Sequence, residues 1–184
     1  MRIVGGSERG RKLAVPKGAT SIRPTADRVR QSLFNVIGQT CEGLHVLDLF
    51  AGTGALALEA VSRGATLALL IDSGREAQAL CRANLTALGY ADRVELWPTT
   101  VEKAVDKLGR DARQFDLVFA DPPYALEAGR WLVDAVGKAR LVRAGGLFCF
   151  EHSKHEVPPS QAPGLAQTDA RAFGETRMTF YATT

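Results

Sequence analysis

The sequence predicts an α/β fold, with a mostly parallel seven-stranded sheet and helices on both faces. Three observations predict it. From residue 44, short continuous apolar runs alternate with amphipathic helical stretches, the pattern of a parallel sheet buried on both sides. Near the end, AQTDARAF and TRMTFYAT alternate in polarity around Gly174, as a closing antiparallel hairpin does. The first 30 residues stand apart by charge: eight basic residues against two acids, a net of +6, while the remaining 15 basic and 18 acidic residues give −3. The division expected is a basic arm and docking helix over residues 1–43, and a sheet domain over residues 44–184.

The arm opens with RIVGG and KLAVP, two β-prone pieces around the glycine-rich GGSERG, which suits a small hairpin. Pro24 and Thr25 then start a helix, with Thr25 as its N-cap. In ADRVRQSLFNVIG, Val29, Leu33, Val36 and Ile37 recur at helical spacing and Gly38 stops the run. This helix is expected to dock on the body while the segment before it stays exposed. HVLDLF (45–50) is the first strand, followed by the helix ALALEAVSR. LALLID (67–72) is the second, followed by REAQALCRANLTALG with Gly89 as its stop. RVELW (93–97) is the third, followed by VEKAVDKLG, and DLVFAD (116–121) the fourth, followed by LEAGRWLVDAVGKA. LFCFEH (147–152) follows the turn RAGG as the fifth, and PPSQAPG (158–164) reads as a loop.

Composition narrows the function classes. The chain has 184 residues, 46% hydrophobic and 23% charged, enough for one domain with a real core and unlike a disordered chain. No apolar run approaches a membrane span, and MRIVGGSERGRK lacks the apolar centre of a signal peptide, so a cytoplasmic protein is expected. Cys41, Cys81 and Cys149 are odd in number and widely spaced, which predicts buried thiols rather than disulfides. With His45, His152 and His155 they show no metal-ligand spacing, and no metal is expected.

Two motifs carry chemistry. In DLFAGTGALALEA (48–60), Asp48 ends the first strand, and Gly52 and Gly54 let the backbone turn tightly and a ligand come close. Ligands of open α/β sheets bind at the carboxyl ends of the strands. Asp72, at the end of the second strand, suits a ribose-bearing ligand, whether NAD or another. The alternative is a tight turn with no ligand. The second motif, Asp121-Pro122-Pro123-Tyr124, ends the fourth strand on the same rim. A carboxylate there accepts from an N–H. Proline fixes the backbone, so its carbonyls hold set directions. Tyr124 offers a flat face. Acceptors beside a stacking ring make a site for the exocyclic amine of a nucleobase. The alternative is a proline-rich exit loop.

Together these residues resemble the class I S-adenosylmethionine-dependent amino-methyltransferases, which have a Rossmann-like seven-stranded sheet. Asp48, Phe50, Gly52 and Gly54 match their DxFxGxG motif, and Asp121 to Tyr124 their (D/N)PP(Y/F/W) motif. Arg23-Pro24-Thr25, Asp27-Arg28-Val29-Arg30, Leu33-Phe34-Asn35, LDLFAGTGALALEAVSRGA and FGETRMTFY resemble the RsmD family of small-subunit ribosomal RNA guanine-N2 methyltransferases. The resemblance runs from the glycines at 5–6 to Tyr181. It implies that Gly52, Thr53 and Gly54 shape the methionine end of an S-adenosylmethionine site near Asp48, that Asp72 holds the ribose, and that Asp121, the Pro122 carbonyl and Tyr124 hold a guanine.

Departures from the pattern affect the adenine end. Ser73-Gly74-Arg75 stands where relatives often keep a second acid. Pro98-Thr99-Thr100-Val101 stands where many methyltransferases have an Asp, so Thr100 or a backbone group is expected to meet the adenine.

A base inside a duplex cannot reach such a pocket, so the target is looped or flipped out. Arg9, Arg11 and Lys12 are the expected phosphate contacts. Arg23, Arg28 and Arg30 either join them or pair with Asp27 or the body. The family implies small-subunit ribosomal RNA in a partly assembled 30S particle as partner; a monomer is assumed. Rival readings are a DNA or RNA adenine or cytosine amino-methyltransferase, an NAD-dependent oxidoreductase, and a non-catalytic RNA-binding assembly factor. Duplex-specific DNA enzymes usually carry a recognition domain, and the oxidoreductase needs a substrate domain; 184 residues leave room for neither.

Overall fold

The computed structural model describes residues 1–18 and 24–184. The expectation for Arg23 therefore lies outside the described residues, as do the side chains of Pro24 and Thr25.

Among the described residues, eight strands form one sheet in the order β3-β2-β1-β4-β5-β8-β7-β6. The parallel half comprises β1 (His45–Asp48), β2 (Leu67–Ile71), β3 (Val94–Trp97), β4 (Phe115–Ala120) and β5 (Val142–Ser153). The antiparallel half is β6 (Gln161–Ala162), β7 (Leu165–Phe173) and β8 (Thr176–Thr183), with β8 inserted between β5 and β7. The seven expected strands are present. The eighth, two-residue β6, lies in the segment read as a loop and pairs Gln161 with Ala166. Strand β5 begins at Val142, so RAGG is not a turn before it. Phe115 pairs with Val142 and Leu117 with Leu147, so RAGG is taken up inside β5 as a bulge.

Side-chain alternation along each strand divides the apolar residues between two layers. Val46, Leu70, Leu117, Phe119 and Cys149 face one side. Leu47, Leu69, Val118, Phe148 and Phe150 face the other. The first layer is covered by α1 (Pro24–Ile37), α2 (Ala55–Ser62) and α3 (Arg75–Leu88); the second by α4 (Val101–Arg110) and α5 (Gly129–Lys138). Thr25, the expected cap, lies inside α1, whose first described residue is Pro24. Helix α5 starts later than expected. A 3₁₀ turn, Tyr124–Leu126, precedes it, and Glu127 at φ 41 breaks the helical path. All three cysteines are free and buried.

The arm forms a minimal hairpin, with Ile3 N–H to Arg11 C=O at 2.9 Å, Leu13 N–H to Met1 C=O at 3.1 Å and one bridge between Arg2 and Lys12. It does not stand exposed as expected. Ile3 and Leu13 are buried with Val29, Leu33 and Phe34 of α1. The backbone is fastened to the end of α2, through Ser7 N–H to Ser62 C=O at 2.7 Å and Val4 N–H to Glu59 Oε2 at 2.8 Å. The apolar pair on the inner side of the hairpin drives this docking; residues 8–12 remain mostly open to solvent. Among the described residues, no helix is long and apolar enough to cross a membrane.

Candidate functional site

The strand order reverses between β1 and β4, so a crevice opens at their carboxyl ends. Asp48 ends β1 and Asp121 follows β4 on its neighbour. Asp72 follows β2, and Glu151 lies near the end of β5. By two-residue steps from Val46, Leu70, Phe119 and Cys149, all four carboxylates point to the face covered by α1, α2 and α3. Glu151 was missed in the sequence. Its one signal is an acid inside the apolar run LFCFEH.

The glycine loop joins β1 to α2. Gly54, at φ 80, serves as the N-cap position of α2, and its N–H meets the Ala51 carbonyl at 2.7 Å. Gly52, at φ 55, donates its N–H to Asp72 Oδ2 at 2.8 Å, while Asp72 Oδ1 accepts from Gly74 at 2.8 Å. Asp72 thus holds the loop in shape and keeps spare lone pairs for a ligand. A Cβ on Gly52 would meet nothing within 4 Å, so that side of the loop is open. Asp48 is 1% exposed and its Oδ1 has no hydrogen-bond partner among the described residues. Burial pushes its carboxyl up to about 7, helped by Asp121 and Asp72, against the backbone N–H groups of Ala57 and Phe50. An orphaned acceptor below an open glycine loop fits a ligand bearing a positive donor group. Phe50 is half-buried and packs toward the α4–α5 layer.

Two expected cofactor residues also make local structural contacts. The Thr53 hydroxyl faces Met1 Sδ at 3.4 Å, and its carbonyl accepts from Asn84 Nδ2 at 2.9 Å. Thr100 caps α4, its hydroxyl accepting from the Lys103 N–H at 3.5 Å, and it is exposed.

The DPPY segment lines a recess of about 590 Å³ with Glu151, Met178, Thr176 and Arg30. Pro122 is buried, Tyr124 is 43% exposed, and the Tyr124 hydroxyl bonds Thr176 Oγ1. The protein walls around the recess raise Asp121 to about 6, although its side chain opens to solvent. Burial, and then Asp121, pushes Glu151 up to about 8. Another cavity, of about 330 Å³, lies at the opposite edge of the sheet between His45, Leu67, Glu95 and Arg113, and no motif residue reaches it.

The arm cations separate into groups. Arg9, Lys12 and Arg28 border one groove of about 760 Å³ together with Arg2. Arg11 turns away, pairing with Glu8 at 3.3 Å and donating to the Ala87 carbonyl at 2.5 Å. Arg30 is removed from the exposed set. It is 4% exposed and pairs with Asp27 at 2.8 Å and Glu59 at 3.4 Å, because a fully buried Glu59 needs a cation beside it.

The family model described as Conserved hypothetical protein 95 matches residues 1–182. The chain belongs to the RsmD family. Ribosomal RNA small subunit methyltransferase D of Escherichia coli (strain K12) is 39% identical to this RsmD-family chain over 146 residues, covering 73% of it and 70% of the relative. A solved structure from Thermus thermophilus, hypothetical protein TTHA0928, superposes with a TM-score of 0.83 at 30% identity, covering 100% of this chain and 99% of that one. The T. thermophilus 16S rRNA N2 G1207 methyltransferase RsmC, solved with AdoMet and guanosine, shares the fold with a TM-score of 0.69 at 19% identity, over 91% of this chain and 45% of its own. The fold is that of the class I methyltransferases, and the chemistry of this RsmD-family member is S-adenosylmethionine-dependent methyl transfer.

Proposed function

We propose that the chain methylates the exocyclic N2 of a guanine in small-subunit ribosomal RNA, presented on a partly assembled 30S particle. It acts as a cytoplasmic monomer, with residues 1–43 gripping RNA and residues 44–184 carrying out transfer. The E. coli relative named for small-subunit rRNA methylation supports the RNA substrate. The observation that carries the reading is the meeting of Asp121 and Tyr124 in one recess beside the open glycine loop.

The residues fit S-adenosylmethionine, which when bound supplies an electrophilic sulfonium methyl. Asp48, with its partnerless Oδ1, and the Gly52–Gly54 loop would hold the methionine end, with Phe50 and Thr53 shaping it; Asp72 would take the ribose hydroxyls. Thr100 marks the adenine end. Guanine N2 is a poor nucleophile because its lone pair is delocalised into the ring. Asp121 and the Pro122 carbonyl accept its two N–H bonds, draw the nitrogen toward tetrahedral geometry and stabilise the charge that develops on it. Tyr124 stacks on the base and fixes its approach. The proton leaving N2 passes to an Asp121 carboxylate oxygen, whose raised proton affinity suits it to that acceptance near neutral pH. Arg9, Lys12 and Arg28, with Arg11 at the edge, hold phosphates of the surrounding RNA.

The test is methyl transfer from labelled S-adenosylmethionine to small-subunit RNA lacking the modification, naked and as assembled particle, with nucleoside analysis of the product. N2-methylguanosine is expected, with the particle preferred. Methyladenine or methylcytosine would overturn the substrate, and cofactor binding with no transfer to either form would overturn the activity.

A further inference from the structure

The DPPY segment supplies acceptors for an amine but does not by itself distinguish guanine, adenine and cytosine. Something else in the recess must read the atom beside the amine. Among the four RNA bases, only guanine carries a ring N–H next to its exocyclic amine. Adenine and cytosine carry a bare ring nitrogen there, an acceptor. Uracil has a ring N–H but no amine.

Glu151 occupies the place where that neighbouring atom would be read. Ala120 pairs with Phe150 across the parallel strands β4 and β5, so the next residues, Asp121 and Glu151, stand side by side. Neighbouring strands lie about 4.8 Å apart, a spacing that two atoms on one edge of a base can bridge. Both side chains line the same recess as Tyr124. Glu151 is half-buried, and among the described residues its carboxyl has neither a hydrogen-bond nor an ion-pair partner. Neighbouring strand residues explain why it is not satisfied locally. Met178 pairs with it across β8, and Phe150 and His152 on either side point to the opposite layer. His152 is itself engaged with Thr179 Oγ1 at 2.8 Å. A half-buried, unpartnered carboxyl has no structural reason in this strand, and it faces the base-binding recess.

We propose that Glu151 is the residue that selects guanine, accepting the N1–H while Asp121 accepts from N2. The inference rests on the guanine-N2 reading above. The selection works in both directions. Guanine satisfies the two adjacent carboxylates with two adjacent donors. Once its carboxyl, raised to about 8, has lost its proton, Glu151 offers acceptors alone, so adenine or cytosine would set a ring lone pair against it, two acceptors face to face.

The test replaces the target guanosine, in particles rebuilt from ligated RNA, by 2,6-diaminopurine riboside, which keeps the N2 amine and has no N1–H. Above pH 8, where Glu151 is ionised, the wild-type enzyme should favour guanosine by about 100-fold in kcat/KM. Glu151→Gln can turn its NH₂ toward the bare N1, so the preference should narrow to about tenfold or less, mainly by faster use of diaminopurine. Glu151→Ala should lose on guanosine without that gain. S-adenosylmethionine affinity, measured by calorimetry, should stay within about twofold of wild type in both variants. Equal wild-type use of the two bases, or an unchanged ratio in Glu151→Gln, would overturn the assignment of Glu151 while leaving guanine methylation standing. Absence of transfer to guanosine by the wild type would instead overturn the reading on which it rests.

Discussion

Asn84 holds both sides of the Ala14 backbone: its Oδ1 accepts the Ala14 N–H at 2.6 Å and its Nδ2 donates to the Ala14 carbonyl at 3.2 Å. The same Nδ2 reaches the Thr53 carbonyl at 2.9 Å, so one buried amide ties the arm to the glycine loop. Asn84→Ala strands three backbone groups and should cost about 1–3 kcal/mol of stability by urea denaturation. It should also weaken S-adenosylmethionine binding, because the loop loses a fixed support. Wild-type affinity in a destabilised variant would separate the arm from the loop.

Glu59 has no exposure, and Arg30 and Arg63 pair with it at 3.4 and 2.8 Å. Glu59→Gln leaves two guanidinium groups short of their counter-charge in the interior. A loss of about 3–5 kcal/mol is expected, read from denaturation midpoints. Arg30→Gln should likewise destabilise the fold rather than alter the salt dependence of RNA binding.

Asp121→Ala removes the acceptor at the transfer centre without touching the glycine loop. Single-turnover rates should fall by about 100-fold or more, with cofactor affinity within about twofold of wild type. A near-normal rate would mean that Asp121 does not act on N2.

Asp48 gives the fold a pH signature. Its carboxyl is raised from about 3.8 to about 7, so at acid pH the folded and unfolded chains both hold its proton and its full contribution is present. Between those values the unfolded chain releases the proton and the folded chain retains it, so stability falls as pH rises toward 7 and then levels off. Asp48→Asn cannot ionise and should lack this part of the slope in the cofactor-free protein. Parallel stability–pH profiles for the two proteins would contradict it. Asp121 and Glu151 shift in the same direction and remain in both proteins, so the difference reports Asp48 together with its interaction with Asp121.

Phosphate contacts should follow the geometry of the arm. Arg9→Gln with Lys12→Gln should reduce the slope of log affinity against log salt by about 1.4 for single-stranded RNA. Arg11→Gln should change it less, because that guanidinium is already engaged by Glu8 and the Ala87 carbonyl. Equal effects from all three would mean that RNA pulls Arg11 from those partners.

The sequence revealed what is contiguous. Asp48, Gly52 and Gly54 occur in one run, as do Asp121 to Tyr124, and each run sits where an apolar strand ends. Continuous apolar runs gave the five parallel strands, because burial on two faces leaves a direct trace in residue order, and alternating polarity gave the closing hairpin. Features that depend on register were hidden. Glu151 gains its meaning only when Phe150 pairs with Ala120. Asn84 reads as an ordinary helical residue until Ala14 and Thr53 arrive beside it. Arg30 could be an RNA contact or an ion-pair partner on charge alone; the buried Glu59 decides between them. The arm was misjudged for a related reason: Ile3 and Leu13 are two apolar residues in a polar stretch, and only the closed hairpin places them side by side.

The insertion of Thr176–Thr183 between β5 and β7 sets an order on assembly during translation. Synthesis proceeds from the N-terminus, so the five parallel strands and the glycine loop leave the ribosome before this strand exists. Met178 and Thr176, which wall the base recess, come with it. A nascent chain therefore has its cofactor side first and gains a place for a base only when β8 pairs between β5 and β7.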